Sequence, residues 1–194
     1  MNKIFTIWSG DNEMSANRKA CLQTLSDYSE SEVILINSQN LDEYVVDNHP
    51  IHPTYEYLSY THRADYLRSY LMYHHGGGYS DIKHNRFSWA SFFDIINSSD
   101  KQMLGYAELN ASDIASNSAE VRNAFRSLPG MGHFLFTKHS KIAKEWLSTV
   151  HDILDTKSEE IFTNPGTYHP RAIYGGVFQS NGFEGSKYPL GWNE

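Results

Sequence analysis

Gly76-Gly77-Gly78-Tyr79-Ser80-Asp81-Ile82-Lys83, entered directly from a helical stretch of roughly Tyr57 to His74, is the segment on which the fold turns. Its glycines end the helix and let the chain turn tightly into a strand. That strand carries a carboxylate, Asp81, at its far end, and ligands of open α/β sheets bind at such strand ends. Upstream, Ile4-Phe5-Thr6-Ile7-Trp8 is a short β-prone run stopped by Ser9-Gly10-Asp11. Cys21, Leu22 and Leu25 recur at helical spacing within Ser15 to Tyr28, and Val33-Ile34-Leu35-Ile36 forms a second buried strand. A short helix near Leu41 to Val46 and a loop marked by Pro50 and Pro53 complete the lead-in. The alternation predicts an α/β fold, with a central, mostly parallel sheet flanked by helices.

Beyond Asp81 the pattern is mixed. An aromatic-rich stretch (Phe87, Trp89, Phe92, Phe93) precedes a strand at Met103 to Ala107, and Asn110 to Ser118 reads as a polar loop. Ile142, Trp146, Val150, Ile153 and Leu154 have the spacing of a helix.

A length of 194 residues suits one domain, 1–194, by itself or within a longer parent. With 16 basic against 23 acidic residues and a formal charge of −7, the chain lacks the basic surface that DNA or RNA requires, so a phosphate ligand must bind locally. The lone Cys21 permits no intramolecular disulfide, and no run approaches the length of a transmembrane helix. Met1 to Trp8 is too short and too quickly polar for a secretory signal, and a reducing, cytoplasmic location is expected.

Within His62-Arg63-Ala64-Asp65-Tyr66-Leu67-Arg68, the helical turn angle of about 100° per residue puts Arg68 at about 40° from Ala64, between Leu71 and Met72. Asp65 falls close to Met72. Three arrangements fit an i,i+3 Asp–Arg pair: a solvated surface pair, a buried pair that only holds the helix, or a pair facing a cleft and hydrogen-bonding sugar hydroxyls. The apolar surroundings of Arg68 argue against the first.

Taken together, Arg63-Ala64-Asp65-Tyr66-Leu67-Arg68, Tyr73 and Gly77-Gly78-Tyr79-Ser80-Asp81 resemble the sugar-binding region of DxD-containing GT-A glycosyltransferases. That group includes capsular polysaccharide synthesis proteins, yeast-type mannosyltransferases and glucosylating clostridial toxins. Lys3-Ile4-Phe5-Thr6-Ile7-Trp8-Ser9-Gly10 is similar to the family's first strand, and the likeness extends from residue 3 to about 108. The resemblance implies a GT-A, Rossmann-like fold and transfer of a hexose from a UDP-sugar to a glycan or glycoprotein acceptor, with retention of configuration. It implies a peripheral place in a membrane glycan assembly system. It also implies roles: Trp8 stacks on uracil, Asp65 and Arg68 hold the donor sugar, Tyr79 and Ser80 lie at the donor, and Asp81 binds Mn²⁺ or Mg²⁺ that neutralises the leaving diphosphate.

The chain departs from the family where D-x-D reads Asp81-Ile82-Lys83. Three readings stay open: a metal on Asp81 with phosphate, water and a C-terminal ligand such as His169 or Glu194; phosphate neutralised by Lys83 itself; or Lys83 turned away from a weak metal site. The first is preferred. Inversion would need a carboxylate base, for which Glu108, Asp113 and Glu120 lie in suitable loops. The competing function is a degenerate nucleotide-sugar-binding or accessory module without turnover.

Overall fold

The computed structural model describes residues 1–114 and 119–166. Five strands, β1 (Lys3–Ile7), β2 (Glu32–Ile36), β3 (Gly77–Ser80), β4 (Met103–Ala107) and β5 (Pro129–Phe136), form one sheet in the order β2-β1-β3-β5-β4. The helices are α1 (Ala16–Tyr28), α2 (Tyr60–His74), α3 (Ala90–Asn97), α4 (Ala119–Asn123), α5 (Lys141–Thr156) and α6 (Ser158–Thr163).

Side chains alternate along each strand, so neighbouring residues enter opposite layers. Ile4, Leu104 and Leu135 meet Leu25 of α1 and Phe93 and Ile96 of α3 on one face. Phe5, Ile7, Tyr79, Phe134 and Phe136 meet Leu67 and Leu71 of α2 and Trp146 and Val150 of α5 on the other. Covered on both faces, β1 is buried from Ile4 to Ile7, a run that is apolar except for Thr6.

The expected βαβαβ half is present, with the start of α2 set by Ser59, whose hydroxyl accepts from the His62 amide. β1 pairs in parallel with β2 and with β3. The far half differs from the sequence expectation. β5 lies between β3 and β4 and is antiparallel to both, so four strands share a direction and the fifth opposes them. Pro129-Gly130-Met131-Gly132 looks like a turn in sequence. Here the glycine admits a neighbour, since a Cβ on Gly130 would lie 2.1 Å from the Tyr106 ring. The aromatic-rich stretch, left without an assigned element by the sequence, runs into helix α3 with Trp89 at its N-cap.

At the glycine turn, the Gly76 amide bonds the Leu71 and Met72 carbonyls that close α2. Gly76 and Gly77 have φ of 67° and 83°, and a Cβ on Gly77 would sit 2.8 Å from the Lys3 carbonyl oxygen. Only a residue without Cβ lets β3 dock against β1 in that conformation. No helix among the described residues is long and apolar enough to cross a membrane.

Candidate functional site

The connection from β1 leads out through α1 to β2, whereas the return through α2 reaches β3 on the other side of β1. The strand order therefore reverses between β1 and β3, where open α/β sheets form a ligand crevice beyond the carboxyl ends of the strands. Trp8 directly follows β1 and Asp81 directly follows β3. Between them opens a cleft of about 330 Å³ lined by Trp8, Gly10, Asn12, Arg18, Tyr60, Thr61, Ala64, Arg68, Tyr79, Asp81 and Lys83, among others. That volume is within the range of small-molecule sites.

Arg68 is its structural centre. The Arg68 side chain is only 14% exposed and that of Asp65 13%, which removes the solvated surface pair from the three arrangements the helix allowed. The guanidinium lies 3.4 Å from Asp65 Oδ1 and 3.4 Å from Asp81 Oδ1, joining α2 to the end of β3. It also sits over the Tyr79 ring, 4.8 Å from the centroid. Tyr79 donates its hydroxyl to Asp81 Oδ1 at 2.9 Å. Burial pushes the Tyr79 hydroxyl well above the usual tyrosine range, with the Arg68 charge opposing, so it stays a donor. Burial likewise raises the Asp65 carboxyl; Arg68 pulls it down and Asp81 pushes it up.

Not every expected residue faces the cleft. Arg68, Tyr79, Asp81 and Trp8 line it, whereas Asp65 stands behind Arg68 and reaches the cleft only through that side chain. Ser80 is fully buried on the opposite face, donating to the Asp81 carbonyl at 2.8 Å and sharing a 2.9 Å hydrogen bond with His133 Nδ1. Strand alternation explains this: Tyr79 and Asp81 share one side and Ser80 takes the other. Trp8 donates its indole N–H to the Asn12 carbonyl at 2.8 Å, which curls residues 8–12 into the cleft rim. Ser9 donates to the Tyr60 carbonyl at 2.5 Å and Tyr60 to Asp11 Oδ2 at 2.5 Å, tying that rim to the start of α2.

The structure adds Arg18, which no sequence signal marks because it lies on the polar side of α1. Its guanidinium donates to the Ile82 carbonyl, and it lines the cleft. Lys83 does not turn away, since its Nζ is 3.1 Å from Asp81 Oδ2. Among the loop carboxylates, Asp113 Oδ2 accepts from the amide and side chain of Asn110 at 3.0 and 3.2 Å. Burial and the Asp113 charge raise the Glu108 carboxyl, with Lys83 opposing. The side chain of Glu120 lies outside the described residues, as do His169 and Glu194.

A resident Mn²⁺ or Mg²⁺ asks for several hard oxygen donors. Among the described residues, Asp81 is the one carboxylate lining the cleft, and no group of three or more His, Cys, Asp or Glu side chains is arranged to hold a metal. Both oxygens of Asp81 already face cations, Arg68 on one side and Lys83 on the other. The described residues therefore do not by themselves fit such an ion.

Residues 1–117 match the profile of a family described as "Capsular polysaccharide synthesis protein". No curated protein matches the chain. Among solved structures, the chain is similar to the PaToxG glycosyltransferase, with a TM-score of 0.56 and 14% identity, over 92% of this chain and 66% of that one. The chain thus spans just under two thirds of that structure, and at this identity the likeness is one of fold. Every described residue lining the cleft lies within the matched 117 positions.

Proposed function

Because the chain belongs to the capsular polysaccharide synthesis protein family, we propose that it is a glycosyltransferase taking a hexose from a nucleoside diphosphate sugar, UDP-linked, and passing it to a glycan or glycoconjugate acceptor. The observation that carries this is the Arg68–Asp81–Tyr79 cluster at the reversal point of the sheet, with Trp8 across the same cleft. An indole at a strand end suits stacking on a base, worth about 1–3 kcal/mol. Arg68 carries a planar fork of donors suited to sugar hydroxyls and phosphate oxygens, and Asp65 fixes its orientation from behind.

In the reaction, the bond from the anomeric carbon to the β-phosphate oxygen breaks, and a bond from that carbon to an acceptor hydroxyl oxygen forms. Negative charge gathers on the departing diphosphate, and the cleft's cations lower the barrier by meeting it. The acceptor proton leaves on a phosphate oxygen. Retention of configuration is supported by the surroundings of Asp81: it is the one carboxylate among the described residues lining the cleft, and both its oxygens already face cations, which leaves no described cleft carboxylate open to an acceptor hydroxyl.

The test is a panel of UDP-, GDP- and CMP-sugars assayed for nucleotide release and for transfer to oligosaccharide acceptors, with and without Mn²⁺. Release from one class, lost in Arg68→Met, supports the proposal; no release from any sinks it. The pairing of Lys83 with Asp81 favours a second reading, a binding module without turnover. That reading requires UDP affinity with no release.

A further inference from the structure

We infer that the donor diphosphate is held by Lys83 and Arg18 rather than through a resident divalent cation; this rests on the nucleotide-sugar reading above. Among the described residues, three cations line the cleft (Arg18, Arg68 and Lys83) with a single carboxylate, Asp81, in a chain whose formal charge is −7. The site is thus locally positive against the sign of the whole molecule, which suits a compact polyanion. Lys83 and Arg18 bracket one short segment. Lys83 Nζ contacts Asp81 Oδ2 at 3.1 Å with 56% of its side chain exposed, and the Arg18 guanidinium is tethered to the carbonyl of Ile82 between them. An ammonium has three donors and a guanidinium five, so both groups keep capacity for phosphate oxygens after these tethers.

Geometry sets this arrangement against a metal. An ion bound to Asp81 Oδ2 at about 2.1 Å would stand no more than about 5 Å from Lys83 Nζ, which is 3.1 Å from the same oxygen. Arg68 repels it from the other side, 3.4 Å from Oδ1. A Cβ on Gly132 would already be 3.3 Å from both Lys83 Nζ and Asp81 Oδ2, so β5 closes in on the pair. The carboxylate serves to orient two cations, and Lys83 supplies the charge that a metal supplies elsewhere.

The experiment is calorimetric titration of the 194-residue protein with UDP, GDP, CMP and uridine, in EDTA and in Mn²⁺. UDP affinity should agree within about twofold between EDTA and Mn²⁺, as expected where no metal bridges ligand and protein. Lys83→Ala should weaken UDP by about ten- to hundredfold, the loss of one charge-assisted bond, while uridine affinity stays unchanged. Lys83→Asp should abolish UDP binding in EDTA and recover it with Mn²⁺, by creating the missing carboxylate. UDP binding by the unmodified protein only with Mn²⁺, or an unaltered UDP affinity in Lys83→Ala, overturns the inference and leaves the nucleotide-sugar reading standing. Failure of UDP, GDP and CMP to bind under either condition overturns both.

Discussion

Replacing Arg68 with alanine should destabilise the protein in a manner that depends on pH. The Arg68 side chain is 14% exposed, and its guanidinium lies 3.4 Å from the carboxylate of Asp65, whose side chain is 13% exposed. Removing one member of a buried pair costs about 3–5 kcal/mol when the other stays charged. Here Asp65 can escape part of that cost by taking up a proton, because burial already raises its carboxyl and Arg68 is the main opposing influence. The net loss at pH 7.5 should be about 2–4 kcal/mol, or roughly 5–15 °C in melting temperature for a domain of this size. The sign follows from linkage. A carboxyl whose folded pKa is raised contributes full stability below its unfolded value, near 4, and loses it as pH rises towards the folded value. The deficit of Arg68→Ala should therefore shrink between pH 7.5 and pH 5, and the double variant Arg68→Ala with Asp65→Asn should regain much of the loss at pH 7.5. Thermal and urea unfolding at both pH values measure this. A shift under about 2 °C at both would mean the pair is solvated, and the assignment of Arg68 as the buried centre of the cleft would fail.

Three other perturbations separate the site from its scaffold. Trp8→Ala should weaken UDP by about ten- to a hundredfold, the value of one stacked base, with the melting temperature nearly unchanged; equal affinity by calorimetry would remove Trp8 from the donor site. Gly77→Ala forces a side chain to φ 83° with its Cβ 2.8 Å from the Lys3 carbonyl, and should cost roughly 2 kcal/mol or more in urea unfolding. His74, whose ring lies tilted with its centroid 4.4 Å from that of Tyr70, is lowered to about 4 by burial and by the neighbouring histidines. Its stabilising contribution is present above its ordinary value of 6.5 and is lost as pH falls towards 4, so His74→Phe should flatten that arm of the stability profile.

What the sequence revealed and what it hid have physical reasons. β1, α1, β2 and the turn at Gly76 were legible because buried strands make continuous apolar runs and because glycine at positive φ has few substitutes. The placement of Arg68 followed from helical geometry alone. β5 was hidden because Pro129, Gly130 and Gly132 imitate a turn, while what demands the glycines is Tyr106, more than twenty residues away in the chain. Ser80 was misplaced because motif resemblance groups it with Tyr79 and Asp81, whereas the pleat sends its side chain to the other layer. Arg18 was invisible for another reason: an exposed arginine on a polar helix face has no pattern until tertiary structure brings it to the Ile82 carbonyl.

The proposed nucleotide-sugar site is the cleft between the ends of β1 and β3. Amide hydrogen exchange with and without UDP tests it most directly, because exchange reports where a ligand suppresses local opening. Bound UDP should slow exchange chiefly at residues 8–12 and 81–83. Protection centred instead on the aromatic surface of Phe87, Phe92 and Tyr106, or an unchanged pattern at saturating UDP, would contradict it.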